Sequence, residues 1–125
     1  MALAAPSDQH HQRAVATARR HSAAGGRWTS SVLVLAEFHT HALRRQGAVG
    51  ARTSIGRLLQ DPTHEWLDVT VRAASDATTA WLERFQDQAF SLTDAVSFEL
   101  MRRHGVTHAF AFDQDFVTAG FALLE

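Results

Sequence analysis

The sequence predicts a domain of the α/β class, with a mostly parallel sheet covered by helices. Three observations carry that prediction. Segments of helical and strand periodicity alternate along the chain, and parallel strands need helical crossovers between them. A length of 125 residues suits one domain with one core. Hydrophobic residues make up 46% and charged residues 20%, a globular balance and not a disordered one.

The elements follow in order. Ser7-Asp8 can cap a first helix, on which His11, Ala14, Val15 and Ala18 share one face. Gly25-Gly26 ends it. Arg27 to Ser30 reads as a short strand or turn, with Thr29, Ser30 or Ser31 as the next cap. Val32 to Arg45 reads as a helix stopped near Gly47; its apolar start could also be a buried strand, but length favours the helix. Ala51, Ile55, Leu58 and Leu59 form a third helical face, ended by Asp61-Pro62.

His64 to Val71 alternates, with Leu67, Val69 and Val71 on one side, and is expected to be a strand. Ala73, Ala77, Ala80, Trp81 and Phe85 return to a helical period. Ser91-Leu92-Thr93-Asp94 resembles a capping box with Asp in place of Glu. The helix it opens is apolar on most sides, and Gly105 suits its end. Val106 to Phe112 is the best strand pattern in the chain, and Phe121 to Leu124 reads as a last short strand. There is no internal repeat, low-complexity tract or linker.

Composition removes several classes. With no Cys there is no disulfide, thiolate metal site or cysteine nucleophile, which fits the cytoplasm. No apolar run approaches the roughly 20 residues that cross a bilayer, and Met1 to Ala5 is too short for a signal-peptide core. Twelve basic residues stand against 13 acidic ones, so global charge does not argue for nucleic acid. Every basic residue other than His is Arg, which weakens any inference drawn from the choice of Arg over Lys.

In an open α/β sheet, ligands bind beyond the carboxyl ends of the strands. Asp113, Gln114 and Asp115 directly follow the strand pattern Val106–Phe112. An acidic pair there suits a metal site, but a turn, where Asp is favoured, is the stronger reading from these residues alone. Asp94 opens the preceding helix, where capping alone would explain an acid. A right-handed crossover, however, brings that helix start back to the rim where the strand ends. Asp94 and Asp113 are therefore expected on one rim, where a hard cation such as Mg²⁺ or Mn²⁺ would relieve their repulsion. Glu37 lies within Val32-Leu33-Val34-Leu35-Ala36-Glu37-Phe38, and an ionised group so placed needs a partner or an exposed slot. The eight His form no zinc-type pair: His39 and His41 point to different sides, and Gly105 separates His104 from His108. There is no G-x-S-x-G elbow, P-loop or G-x-G-x-x-G.

Ser91-Leu92-Thr93-Asp94-Ala95-Val96-Ser97-Phe98, then Ala109-Phe110-Ala111-Phe112-Asp113-Gln114-Asp115-Phe116 and Ala119-Gly120-Phe121, resemble the C-terminal half of PIN-domain proteins, VapC-type toxins in particular. Thr29 to Glu37 is similar to the family's segment around its acidic helix residue, and Ser7 to Ala14 to its region after the first helix. The resemblance implies a three-layer α/β/α fold with a mostly parallel central sheet, as a single domain over residues 1–125. It further implies a metal-dependent ribonuclease site of four acids, three of which carry over as Glu37, Asp94 and Asp113, with Asp115 as an accessory. Mg²⁺ or Mn²⁺ as cofactor, single-stranded RNA as substrate, a cognate antitoxin and a homodimer come with it. The implied chemistry is phosphodiester hydrolysis, with the ion polarising the phosphate and lowering the pKa of a water.

The chain departs from the family at its start. The family opens with a buried strand ending in Asp-Thr or Asp-Ser, whereas Met1 to Ala5 reads as the end of the first helix. The expectation is thus a domain without its first strand and first acid. It should cleave RNA weakly and be less stable than an extended chain, since an open strand edge remains. A haloacid-dehalogenase-like phosphatase also places Asp-x-Asp after a strand, but that motif opens its fold and here only ten residues follow Asp115. The second alternative is a degenerate PIN-like module that binds a partner or RNA without cutting.

Overall fold

The computed structural model describes residues 9–110 and 114–124. The chain divides into two compact units, Met1–Leu67 and Asp68–Glu125.

In the first unit, helix α1 spans Gln9–Ala23; Met1 to Ala5 and the expected Ser7-Asp8 cap lie outside the described residues. The helix ends as anticipated. Gly25 takes φ 77°, and the Gly26 amide donates to the His21 carbonyl at 2.8 Å. Strand β1 (Trp28–Ser31) follows, and Ser31 stands at the N-cap position of helix α2 (Val32–Gln60) without a side-chain capping bond. The apolar run at Val32 is therefore helical. Gly47 stops the first helical arm as expected, with non-helical φ 74° and ψ 179°, and a second arm follows directly, so Val32–Gln60 is two arms across a kink. Positions eight apart on a straight helix are separated by about 12 Å along the axis. Across the break, Ser54 Oγ nevertheless donates to Gln46 Oε1 at 2.9 Å. The bend lets Phe38 and Ala42 of the first arm share one core with Ala51, Ile55 and Leu58 of the second.

Strand β2 (His64–Leu67) pairs parallel with β1, in the register Trp28–His64 to Ser31–Leu67. The pairing sets aromatic rings in line, with His64 stacked 4.8 Å from Trp66 and 6.2 Å from Trp28. The strand is shorter than the expected His64–Val71. Thr70 accepts the Ala73 amide at 3.0 Å and so caps a helix, and Val71, 88% exposed, is that helix's first residue and not a strand residue. Alternation of Leu67, Val69 and Val71 was thus outweighed by a local cap.

The second unit opens with α3 (Val71–Ala77), continued by a π-helical turn over Thr78–Glu83 that buries Trp81. Helix α4 (Leu92–Arg103) starts with the capping box read from the sequence. It ends in a Schellman arrangement: Gly105 takes φ 66°, and the Val106 amide donates to Met101 at 2.8 Å. Strand β3 is His108–Ala109, shorter than the expected Val106–Phe112; the Thr107 carbonyl accepts the Ala122 amide at 2.9 Å beside it, and Ala111, Phe112 and Asp113 lie outside the described residues. Strand β4 (Ala122–Leu123) pairs parallel with it, as the last short strand anticipated. A short helix α5 (Asp115–Thr118), which the sequence pattern did not predict, precedes β4. Both strand pairs are parallel, as the α/β class requires.

Phe98, fully buried, is the centre of this unit's core. Its ring lies 5.0 Å from Phe90, 5.0 Å from Phe116, 5.3 Å from Trp81 and 5.9 Å from Phe121. One side chain thereby joins α4 to the π-turn, to α5 and to the segment entering β4.

Candidate active site

Glu37 stands in the second turn of α2 and is exposed, while Phe38 beside it is buried and Leu33, Val34 and Leu35 are half-buried. Of the two solutions open to an acid in that apolar run, a partner or an exposed slot, the fold uses the slot.

Asp94 is the third residue of α4. Its Oδ2 accepts the Ser91 amide at 3.1 Å, and its own amide donates to Ser91 Oγ at 3.1 Å. The reciprocal bonds hold the carboxylate at the helix N-terminus, where free amides and the dipole favour negative charge. One carboxylate oxygen serves the cap, and Asp94 remains only half-buried.

Asp115 is the first residue of α5 and is half-buried. Phe116 next to it meets Phe98 edge-to-face, and Phe98 lies one helical turn beyond Asp94. That contact ties the start of α5 to the middle of α4. Asp113 lies outside the described residues. Glu37 belongs to the first unit and Asp94 and Asp115 to the second. Among the described residues, no group of three His, Asp or Glu is gathered to hold a metal. The donor set itself is all carboxylate oxygen, the chemistry that suits Mg²⁺ or Mn²⁺ over softer ions.

The sequence reading passed over Glu99. It lies on the face of α4 classed as apolar, between Phe98 and Leu100, and is 1% exposed. Arg102 and Arg103 close on its carboxylate at 2.6 and 2.7 Å, and buried Trp81 Nε1 donates at 3.2 Å. Arg103 also reaches Asp76 of α3 at 2.8 Å. The signal was present as spacing: Glu99, Arg102 and Arg103 stand at i, i+3 and i+4. Burial raises the Glu99 carboxyl pKa, but the bonds from Arg102, Arg103 and Trp81 together outweigh it and hold the group below its ordinary value.

This network predicts a stability change. Glu99→Ala should cost about 2–3 kcal/mol, because Trp81 loses its acceptor while both arginines can turn to water. Glu99→Gln, which can still accept from Trp81, should cost less. A carboxyl with a lowered pKa stabilises the fold above its unfolded value and loses that contribution as pH falls through its folded value. Urea unfolding at neutral pH should therefore separate wild type from Glu99→Gln, and the gap should close below about pH 4. A gap that widens in acid would contradict the assignment.

The PIN-domain family model matches residues 2–122 of the chain. The chain belongs to the PIN-domain family. Its fold is PIN-like: it is similar to the crystal structure of Mycobacterium tuberculosis VapC20, described as a sarcin-ricin loop cleaving toxin, with a TM-score of 0.81 and 33% identity over 97% of this chain and 89% of that one. A stretch of 41 residues is 49% identical to the 23S rRNA-specific endonuclease VapC20 of M. tuberculosis strains CDC 1551 and H37Rv. That stretch is 33% of this PIN domain and spans about a third (31%) of the curated relatives. Among the described residues, no helix is long and apolar enough to cross a membrane.

Proposed function

We propose that this PIN domain is a metal-dependent endoribonuclease of the VapC toxin type, acting in the cytoplasm on single-stranded RNA, as a homodimer neutralised by a cognate antitoxin. The observation that carries the proposal is the likeness to VapC20 over 97% of the chain at 33% identity. The same likeness supports a loop of ribosomal RNA as the substrate class.

In this reading Glu37, Asp94 and Asp113 are the acids that would hold Mg²⁺ or Mn²⁺, with Asp115 beside them as an accessory. A divalent ion there supplies charge for the scissile phosphate and a water of lowered pKa. The protein's own part is positioning. The capping box holds Asp94 at a helix start, and Phe116, next to Asp115, packs on Phe98 of the same helix. Glu37 is presented on the exposed side of an otherwise apolar turn. A carboxylate of this set not engaged with the ion can orient the attacking water or take its proton.

The test is incubation of the protein with ribosomal RNA and Mg²⁺, with the products mapped by primer extension. A discrete cut that disappears in EDTA is expected. A cut that persists in EDTA, or no cut with either Mg²⁺ or Mn²⁺, would refute the proposal.

A further inference from the structure

The balanced charge of the whole chain conceals an uneven distribution. Residues 1–67 carry eight arginines against four acids, and residues 68–125 carry four arginines against nine acids. The two sets of arginines are also used differently. In the second unit Arg72 pairs with Asp76, Arg102 with Glu99, Arg103 with both acids, and Arg84 lies over the Phe85 ring. In the first unit, Arg44, Arg52 and Arg57 of α2 are exposed and make no ion pair among the described residues. From residue 38 to residue 60, α2 has no acid at all.

Arg44 has a further property. It is seven residues after Glu37 on the first arm of α2, two turns along the same face and about 10 Å away by helical rise. Arg52 and Arg57 continue the exposed positive charge onto the second arm, beyond the Gly47 break. We infer that Arg44, Arg52 and Arg57 form a phosphate-contact surface that holds the RNA strand flanking the cleavage point. The inference rests on the ribonuclease reading and adds to it where the strand lies. Exposed arginines without carboxylate partners that meet a polyanion gain by releasing the condensed counterions of the phosphates. Arginines already committed to carboxylates, as in the second unit, cannot contribute in that way.

The experiment is fluorescence anisotropy with a labelled single-stranded RNA in EDTA, so that binding is read without cleavage, over a range of KCl concentrations. The full chain is compared with R44Q/R52Q/R57Q, with the triple Lys variant, and with R72Q as a control for lost charge elsewhere. For single strands the log–log salt slope changes by about 0.7 per phosphate contact. The Gln triple should therefore lose about 2 from the slope and bind about tenfold or more weakly at low salt. The Lys triple should keep the wild-type slope, and R72Q should match wild type. An unchanged slope in the Gln triple, or an equal loss in R72Q, overturns the inference, even if metal-dependent cleavage by the wild type is intact. Displacement of an acidic peptide but not of RNA by the Gln substitutions would also overturn it, in favour of a protein partner. If the wild type cuts no RNA but its RNA binding shows the predicted slope and Gln loss, the surface assignment stands and the nuclease reading fails alone.

Discussion

Replacing Asp94 with Asn is expected to reduce metal-dependent RNA cleavage by about a hundredfold to a thousandfold, several kcal/mol of transition-state stabilisation, while leaving the fold intact. The geometry makes this substitution informative. Asp94 serves the capping box through one oxygen that accepts the Ser91 amide and through its own backbone amide. The Asn side-chain carbonyl can accept the same bond, and the backbone amide is unchanged. Capping should survive with a loss of about 0.5 kcal/mol or less. What is removed is the negative charge, which a hard divalent ion requires. Two measurements check the result: cleavage of ribosomal RNA in Mg²⁺, and the thermal midpoint. Full activity in Asp94→Asn would show that the acid is a cap and nothing more. A large fall in the midpoint would show that charge at the helix start carries stability that the hydrogen bonds do not.

Asp94 also shows which parts of the molecule were legible in the sequence. A capping box is local: Ser at one position and an acid three later define it, and the structure forms both reciprocal bonds. The same holds for Gly25 and Gly105, whose positive φ values end α1 and α4 where the pattern said they would. Errors came where two local signals competed. Alternation carried the expected strand to Val71, but Thr70 offered its side chain to Ala73 and the helix won. Gly47, by contrast, ends the first arm where the pattern placed a stop, and Ala51, Ile55 and Leu58 of the next arm share a core with Phe38 and Ala42. Glu99 was missed although Arg102 and Arg103 stand on its own helix, because residue type alone sorted it away from the apolar face it occupies and its bond to Trp81 is distant in the chain. The uneven charge of the two halves was readable from the start and vanished only in the total. Asp94 and Glu37 were singled out one by one from their local surroundings, a helix start and an apolar run. Whether acids far apart in the chain share a site is a tertiary matter that neither periodicity nor spacing can report.

Phe98→Ala is expected to be the most destabilising single change in the second unit, at about 3–5 kcal/mol. Phe98 is fully buried, and four aromatic rings, Trp81, Phe90, Phe116 and Phe121, lie within 5.9 Å of its own. Those partners come from four different segments, so no single backbone shift can close the cavity that truncation would leave. The cost should therefore sit at the upper part of the range for such truncations, which depends on how well a site can collapse. Native stability is typically only about 5–15 kcal/mol, so the loss would be a large share of it. A second consequence separates this residue from an ordinary core position. Phe98 meets Phe116, which neighbours Asp115, and Phe98 is one turn from Asp94. Loosening that contact should lower RNA cleavage even under conditions where the protein remains folded. Phe98→Leu, which keeps most of the volume but not the edge-to-face contacts, should cost about 1–2 kcal/mol and affect cleavage less than Phe98→Ala. Urea unfolding followed by tryptophan fluorescence, with cleavage assayed well below the midpoint, distinguishes the two effects. A cost under about 1 kcal/mol for Phe98→Ala would mean that the aromatic cluster repacks without it, and that the link between α4 and the start of α5 is held elsewhere.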